Sequence, residues 1–170
     1  MRNTTTIIAS LGLLLSVLLT GCGSKYDRST PEAFAQSLVK CINSKDKDGL
    51  RDFVPTKDEL IGALESGDGS AEDKAEMKKE MLEDWPKMEE RMEERIFGGF
   101  DELIQESEAE GKDLSKITYK SVDLGDERNN DGLTMRNITA ICDYEGEEVK
   151  VRVRNAAKFS SGWVMSPSGF

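Results

Sequence analysis

The apolar pattern of this 170-residue chain predicts an α+β fold, with helices in the first half and an antiparallel sheet in the second. Two observations carry the prediction. Between Ser29 and about Glu110, apolar residues recur at helical spacing behind clear helix-start signals. From Lys116 the period changes to two, and turn signals separate the runs. About four strands are expected, with the helices covering one face of the sheet.

Ser29-Thr30-Pro31-Glu32 opens the first helix with an N-cap hydroxyl, a proline in the first turn and a glutamate three residues after a serine. It should run to about Asn43, with Phe34, Leu38, Cys41 and Ile42 on one stripe. Lys45 to Val54 reads as a short second helix, Leu50, Phe53 and Val54 pointing inward and Pro55 stopping it. Thr56 and Glu59 form a capping-box pattern ahead of Leu60, Ile61 and Leu64. Ser66-Gly67-Asp68-Gly69-Ser70 is a loop.

The longest helical stretch follows. Met77, Met81, Trp85, Met88, Met92 and Ile96 are spaced by three or four residues and draw one apolar stripe, with Lys and Glu opposite. Pro86 should kink this helix by removing a hydrogen bond. Gly98-Gly99 should end or bend it again before Phe100, Leu103 and Ile104 carry on to about Glu110.

Ile117 to Leu124 is the first strand. Asn129-Asn130-Asp131-Gly132 is a turn signal, and Leu133 to Tyr144 is the second strand. Glu145-Gly146 makes a tight reversal. In the third strand Val149, Val151 and Val153 alternate with Lys150, Arg152 and Arg154, giving one buried and one wet face. Ser161-Gly162 turns the chain into a last strand with Trp163 and Met165.

The N-terminus has a different logic. Arg2 precedes an apolar run from Ile7 to Leu19, which is interrupted by Ser10, Gly12 and Ser16 and is too short for the roughly 20 residues of a membrane span. It closes on Leu19-Thr20-Gly21-Cys22, which resembles the lipobox of bacterial lipoproteins. The resemblance implies a signal peptide over 1–21, diacylglycerol and often palmitate-type acylation on Cys22, and a polar tether over 22–28. A single domain over 29–170 would then face away from the cytoplasm, anchored in the membrane of the cell envelope. Two or three acyl chains would make attachment effectively permanent. Gly23 stands where enterobacterial lipoproteins retained in the inner membrane carry Asp, which favours an outer membrane where the host has one, with the domain on its periplasmic side.

Loss of residues 1–21 takes one of 23 basic residues and none of 33 acidic ones, so the charge goes from −10 to −11. So acidic a body is repelled by nucleic acid and by anionic headgroups, leaving membrane contact to the anchor. With no histidine, His-based triads, His-zinc sites and His proton shuttles are excluded. Cys41 and Cys142 remain an even pair, either a disulfide in an oxidising compartment or two buried thiols.

No other motif specifies chemistry. The methionine stripe offers soft thioether ligands, but without Cys or His beside it the stripe reads as core. Glu127 to Gly132 begins like a calcium loop and fails at its twelfth position, Ile138. Glu89-Glu90 and Glu93-Glu94 read as solvated charge with Arg91 and Arg95 as partners along the helix. No cofactor or metal is called for.

Thr30-Pro31-Glu32, the polar break from Ser44 to Asp48 before Leu50 and Phe53, and a sheet ending in Gly162-Trp163-Val164 resemble small bacterial lipoproteins of the nuclear-transport-factor-like, or cystatin-like, cone superfamily. That resemblance implies a cleft between helices and sheet. Its members range from enzymes to binding subunits, so it fixes no reaction. Two functions are therefore carried forward. The first is a non-enzymatic binding or assembly subunit holding a protein partner. The second is a ligand-binding or enzymatic domain with a pocket near Trp85, Tyr119 and Trp163.

Overall fold

The computed structural model describes residues 24–130 and 132–166. The signal segment, Cys22 and Asp131 lie outside the described residues. Three helices pack against a five-stranded antiparallel sheet, the α+β class that the pattern predicts with one strand more than the four expected.

Helix α1 (Pro31–Asn43) starts where the sequence places it, the Thr30 hydroxyl accepting from the Ala33 amide. It ends in a paired reversal: the amide of Lys45 donates to the Ile42 carbonyl and that of Asp46 to the Cys41 carbonyl. Lys45 takes the left-handed conformation, φ 49°, that this ending requires. That reversal is why Lys45–Val54 does not become the expected second helix. Only a 3-10 turn over Gly49–Phe53 forms, and it still buries Leu50 and Phe53.

Helix α2 (Lys57–Ser66) carries the predicted capping box, with Thr56 and Glu59 exchanging hydrogen bonds. Helix α3 (Ala71–Ala109) is one 39-residue element, about 58 Å long at 1.5 Å per residue. Neither Pro86 nor Gly98-Gly99 interrupts it. The glycines cost about 1 kcal/mol each in helix propensity. Burial of Ile96 and Phe100 on either side contributes about 1.5–3 kcal/mol per side chain and outweighs them.

The strands are β1 (Thr118–Leu124), β2 (Arg128–Asn130), β3 (Leu133–Tyr144), β4 (Glu147–Phe159) and β5 (Gly162–Val164). Their order is β1-β3-β4-β5, with the three-residue β2 also pairing β3. The two-residue reversal at Glu145-Gly146 has positive φ at both positions, as a type I′ hairpin requires. The Asn129–Gly132 signal makes the β2–β3 hairpin, in which Asn130 pairs with Leu133.

The main core lies between α1 and one sheet face and takes in Ile138, Ala140, Cys142, Val153, Ala156, Trp163 and Met165. A shift in the β3–β4 pairing at Arg136/Ile138, with Asn155 at φ 51°, inserts one extra residue into β4. Beyond it Ala156 and Ala157 are both buried although successive strand residues face opposite ways. Ala157, Phe159 and Val164 form a second small core with Leu60 and Ala63 of α2. One end of the sheet is thus covered on both faces, whereas the helices were expected on one.

The methionine stripe of α3 is core only toward its C-terminal end. Met92 and Ile96 are buried, whereas Met77 is 54% exposed. Arg91 and Arg95 pair with none of the neighbouring glutamates, and Glu93 reaches across to Arg51 at 2.5 Å instead.

Candidate functional site

Two local arrangements bear on function: a strap that ties the first described residues to the domain, and a cleft beside an uncovered strand edge. The strap is Ser24 to Arg28, part of the 22–28 stretch expected as a polar tether. Tyr26 is only 3% exposed, with its ring 5.2 Å from that of Phe53. Its hydroxyl donates to Asp46 at 2.6 Å, and the Lys25 ammonium pairs with the same carboxylate at 2.5 Å. Asp46 also accepts from the Gly49 amide, and Asp52 accepts from the Lys25 amide and the Ser24 hydroxyl.

The electrostatics follow from this geometry. The hydrogen bonds from Lys25, Tyr26 and Gly49 lower the Asp46 carboxyl to about 2, outweighing a small desolvation. Burial, followed by the bond to Asp46, raises the Tyr26 phenol. Two glycines make the strap fit. A Cβ on Gly49 would lie 2.3 Å from Asp46 Oδ2 and 2.4 Å from the Tyr26 ring. At Gly162, φ 124°, it would lie 2.5 Å from the Arg28 carbonyl oxygen, which accepts from the Trp163 amide.

The cleft arises from unequal strand lengths. β4 pairs with β3 along most of its 13 residues, but β5 pairs with it only from Ala157 to Phe159. Glu147 to Asn155 therefore have no strand neighbour on their other side among the described residues. Along this open edge runs a cleft of about 260 Å³ between β4, the end of α1 and the Arg95–Leu103 stretch of α3. Leu38, Ile42, Ile96, Phe100, Val151 and Val153 give it an apolar wall. Its volume falls below the roughly 300–1,000 Å³ of small-molecule sites and suits one or two inserted side chains.

Trp85, Tyr119 and Trp163, anticipated at one pocket, stand in different settings. Trp85 lines a separate groove of about 240 Å³ with Arg51, Pro55, Met92 and Phe97. Trp163 is buried in the core, and Tyr119 packs against that core from β1. The cone-fold resemblance implied the three together; Trp85 stands on α3, Tyr119 on β1 and Trp163 on β5. Glu89 and Glu93 at the Trp85 groove are not buried, and Glu93 is taken by Arg51.

Cys41 and Cys142 are both fully buried and both free. The Cys41 thiol donates to the Asp46 carbonyl at 3.1 Å, and burial first of all pushes its pKa up to about 11. Burial raises Cys142 as well. Of the two readings of the pair, the structure has buried thiols acting as small hydrophobes.

Arg95, Gly99, Leu103 and Arg152 at the cleft were not among the sequence-predicted site residues. The readable signal was length: the run after Ser161-Gly162 is too short, before Pro167, to cover a strand that begins at Glu147. Compared with protein-family models, with curated proteins and with solved structures, the chain matches none.

Proposed function

We propose that this chain is a lipid-anchored cell-envelope protein acting as a non-enzymatic binding or assembly subunit, with the cleft beside β4 as its binding surface. The observation that carries the reading is the open β4 edge next to an apolar cleft, on a domain whose packed strap begins at Ser24, two residues after Cys22 in the sequence. With Tyr26 already in the core, only Gly23 to Lys25 separate the acyl-bearing residue from packed structure. Three residues span about 10 Å, so the anchor would present the domain close to the lipid surface rather than on a stalk.

The test uses cells producing the full chain with a photo-cross-linking residue at Gly99 or Leu103 in the cleft, or at Glu72 on the far end of α3 as control. A discrete adduct from the cleft positions alone, together with loss of membrane association in Cys22→Ser, is the expected result. Membrane association unchanged in Cys22→Ser, or the same adducts from Glu72, would overturn it.

A further inference from the structure

We infer that the β4 edge takes an extended acidic segment of a partner protein, added antiparallel beside Glu147–Asn155 with apolar side chains in the cleft. The inference rests on the binding-subunit reading above and names the chemistry of its partner. Backbone supplies the affinity in such strand addition and alternate side chains the specificity. β5 shows the geometry on the same side of β4, pairing antiparallel with Ala157 to Phe159 and stopping short of the open stretch.

Register dictates the partner's pattern. Residues directly opposite one another in a sheet share a face. Positions opposite Val151 and Val153 turn toward the cleft and suit apolar side chains. Positions opposite Arg152 and Arg154 turn toward the open face of the sheet, where those two guanidiniums form no ion pair among the described residues. Lys150, the next cation on that face, is already paired with Glu148 at 3.1 Å. Arg95, at the rim of the cleft on α3, also forms no ion pair among the described residues. In a chain of net charge −10, Arg95 and Arg152 at the cleft and Arg154 farther along the same strand, none of them in an ion pair among the described residues, select acidic residues alternating with apolar ones.

The probe is a fluorescein-labelled peptide of four Val-Glu repeats, titrated by anisotropy against the full chain in detergent, with a Val-Lys peptide as control. Saturable binding of Val-Glu alone is expected, weakened about tenfold or more in Arg152→Glu/Arg154→Glu, where two attractive cross-strand pairs become repulsive. Gly99→Trp should abolish it, because a Cβ there meets nothing within 4 Å and the indole would enter the cleft without disturbing the core. Hydrogen exchange of the Val149–Asn155 amides should slow when the Val-Glu peptide binds. Equal binding of both peptides, no binding, or binding that survives Gly99→Trp would overturn the inference. Binding seen only after the chain is cut back to Ser166 would also overturn it, because residues 167–170 would then be the edge's occupant. Cleft adducts in cells combined with no peptide binding would remove the acidic-strand inference and leave the binding-subunit reading in place.

Discussion

Truncating Tyr26 separates a packed strap from a free tether. A buried aromatic side chain removes about 150–250 Å² from water, worth about 4–6 kcal/mol at 25 cal/mol per Å². Tyr26 is 3% exposed, so nearly all of that is at stake in Tyr26→Ala, and large-to-small changes at such sites cost about 3–5 kcal/mol. Tyr26→Phe keeps the contact with Phe53 and loses only the bond to Asp46, a hydrogen bond to a charged group worth about 1.5–3 kcal/mol. The carboxylate keeps Lys25 and Gly49, which places the expected loss near the lower end of that range. Urea unfolding followed by the fluorescence of Trp85 and Trp163 measures both. A loss in Tyr26→Ala within the ±0.5 kcal/mol of an ordinary surface substitution would refute the packed strap.

Further outcomes follow from the same contacts. Asp46, lowered to about 2 from an unfolded value near 3.8, stabilises the fold fully above pH 3.8 and progressively less as pH falls toward 2. Asp46→Asn should flatten that part of a Tm-against-pH curve, and an unchanged slope would contradict the assignment. Cys41 and Cys142 should resist a maleimide in the native state and both react in urea without reductant; no reaction in urea would show a disulfide. Gly162→Ala should destabilise by more than 1 kcal/mol in a urea titration, because it combines a positive φ with a Cβ contact on Arg28, while Gly111→Ala, with φ 68° and open space around it, should cost less. Met92→Ala should cost about 2–5 kcal/mol and Met77→Ala under 0.5 by the same titration, since only the former is core.

Local signals were legible wherever the residues that decide an element sit inside it. Thr30, the Thr56–Glu59 box, Glu145-Gly146 and the Val149–Val153 alternation each set their own backbone. β1, β3 and β4 therefore fall where the period of two puts them, whereas Arg128–Asn130, read largely as turn, pairs with β3 as a fifth strand and β5 stops at Val164, before Met165. What the sequence concealed was tertiary competition. Gly98-Gly99 reads as a break because propensity is local, yet helix α3 passes through it on the strength of burying Ile96 and Phe100 against distant elements. Ser24–Arg28 reads as a tether because four of its five residues are polar or charged. Its burial depends on Asp46, which is positioned in turn by the reversal after α1. The extra residue in β4 was likewise invisible, although it sends Ala157 and Phe159 to the face beneath α2. The Trp85–Tyr119–Trp163 grouping came from a resemblance of fold, which names no side-chain positions: Trp163 is buried in the core, Tyr119 packs against it from β1, and Trp85 lines a groove with Arg51, Pro55, Met92 and Phe97.

The measurement that bears most directly on the account is the mass of the N-terminal peptide from the full chain isolated from cells. A mature chain beginning at Cys22 and carrying a diacylglycerol, with or without a further acyl group, is what the anchored-domain account predicts. A chain cleaved elsewhere, or an unmodified Cys22, would contradict it and leave the strap and cleft without a membrane to face.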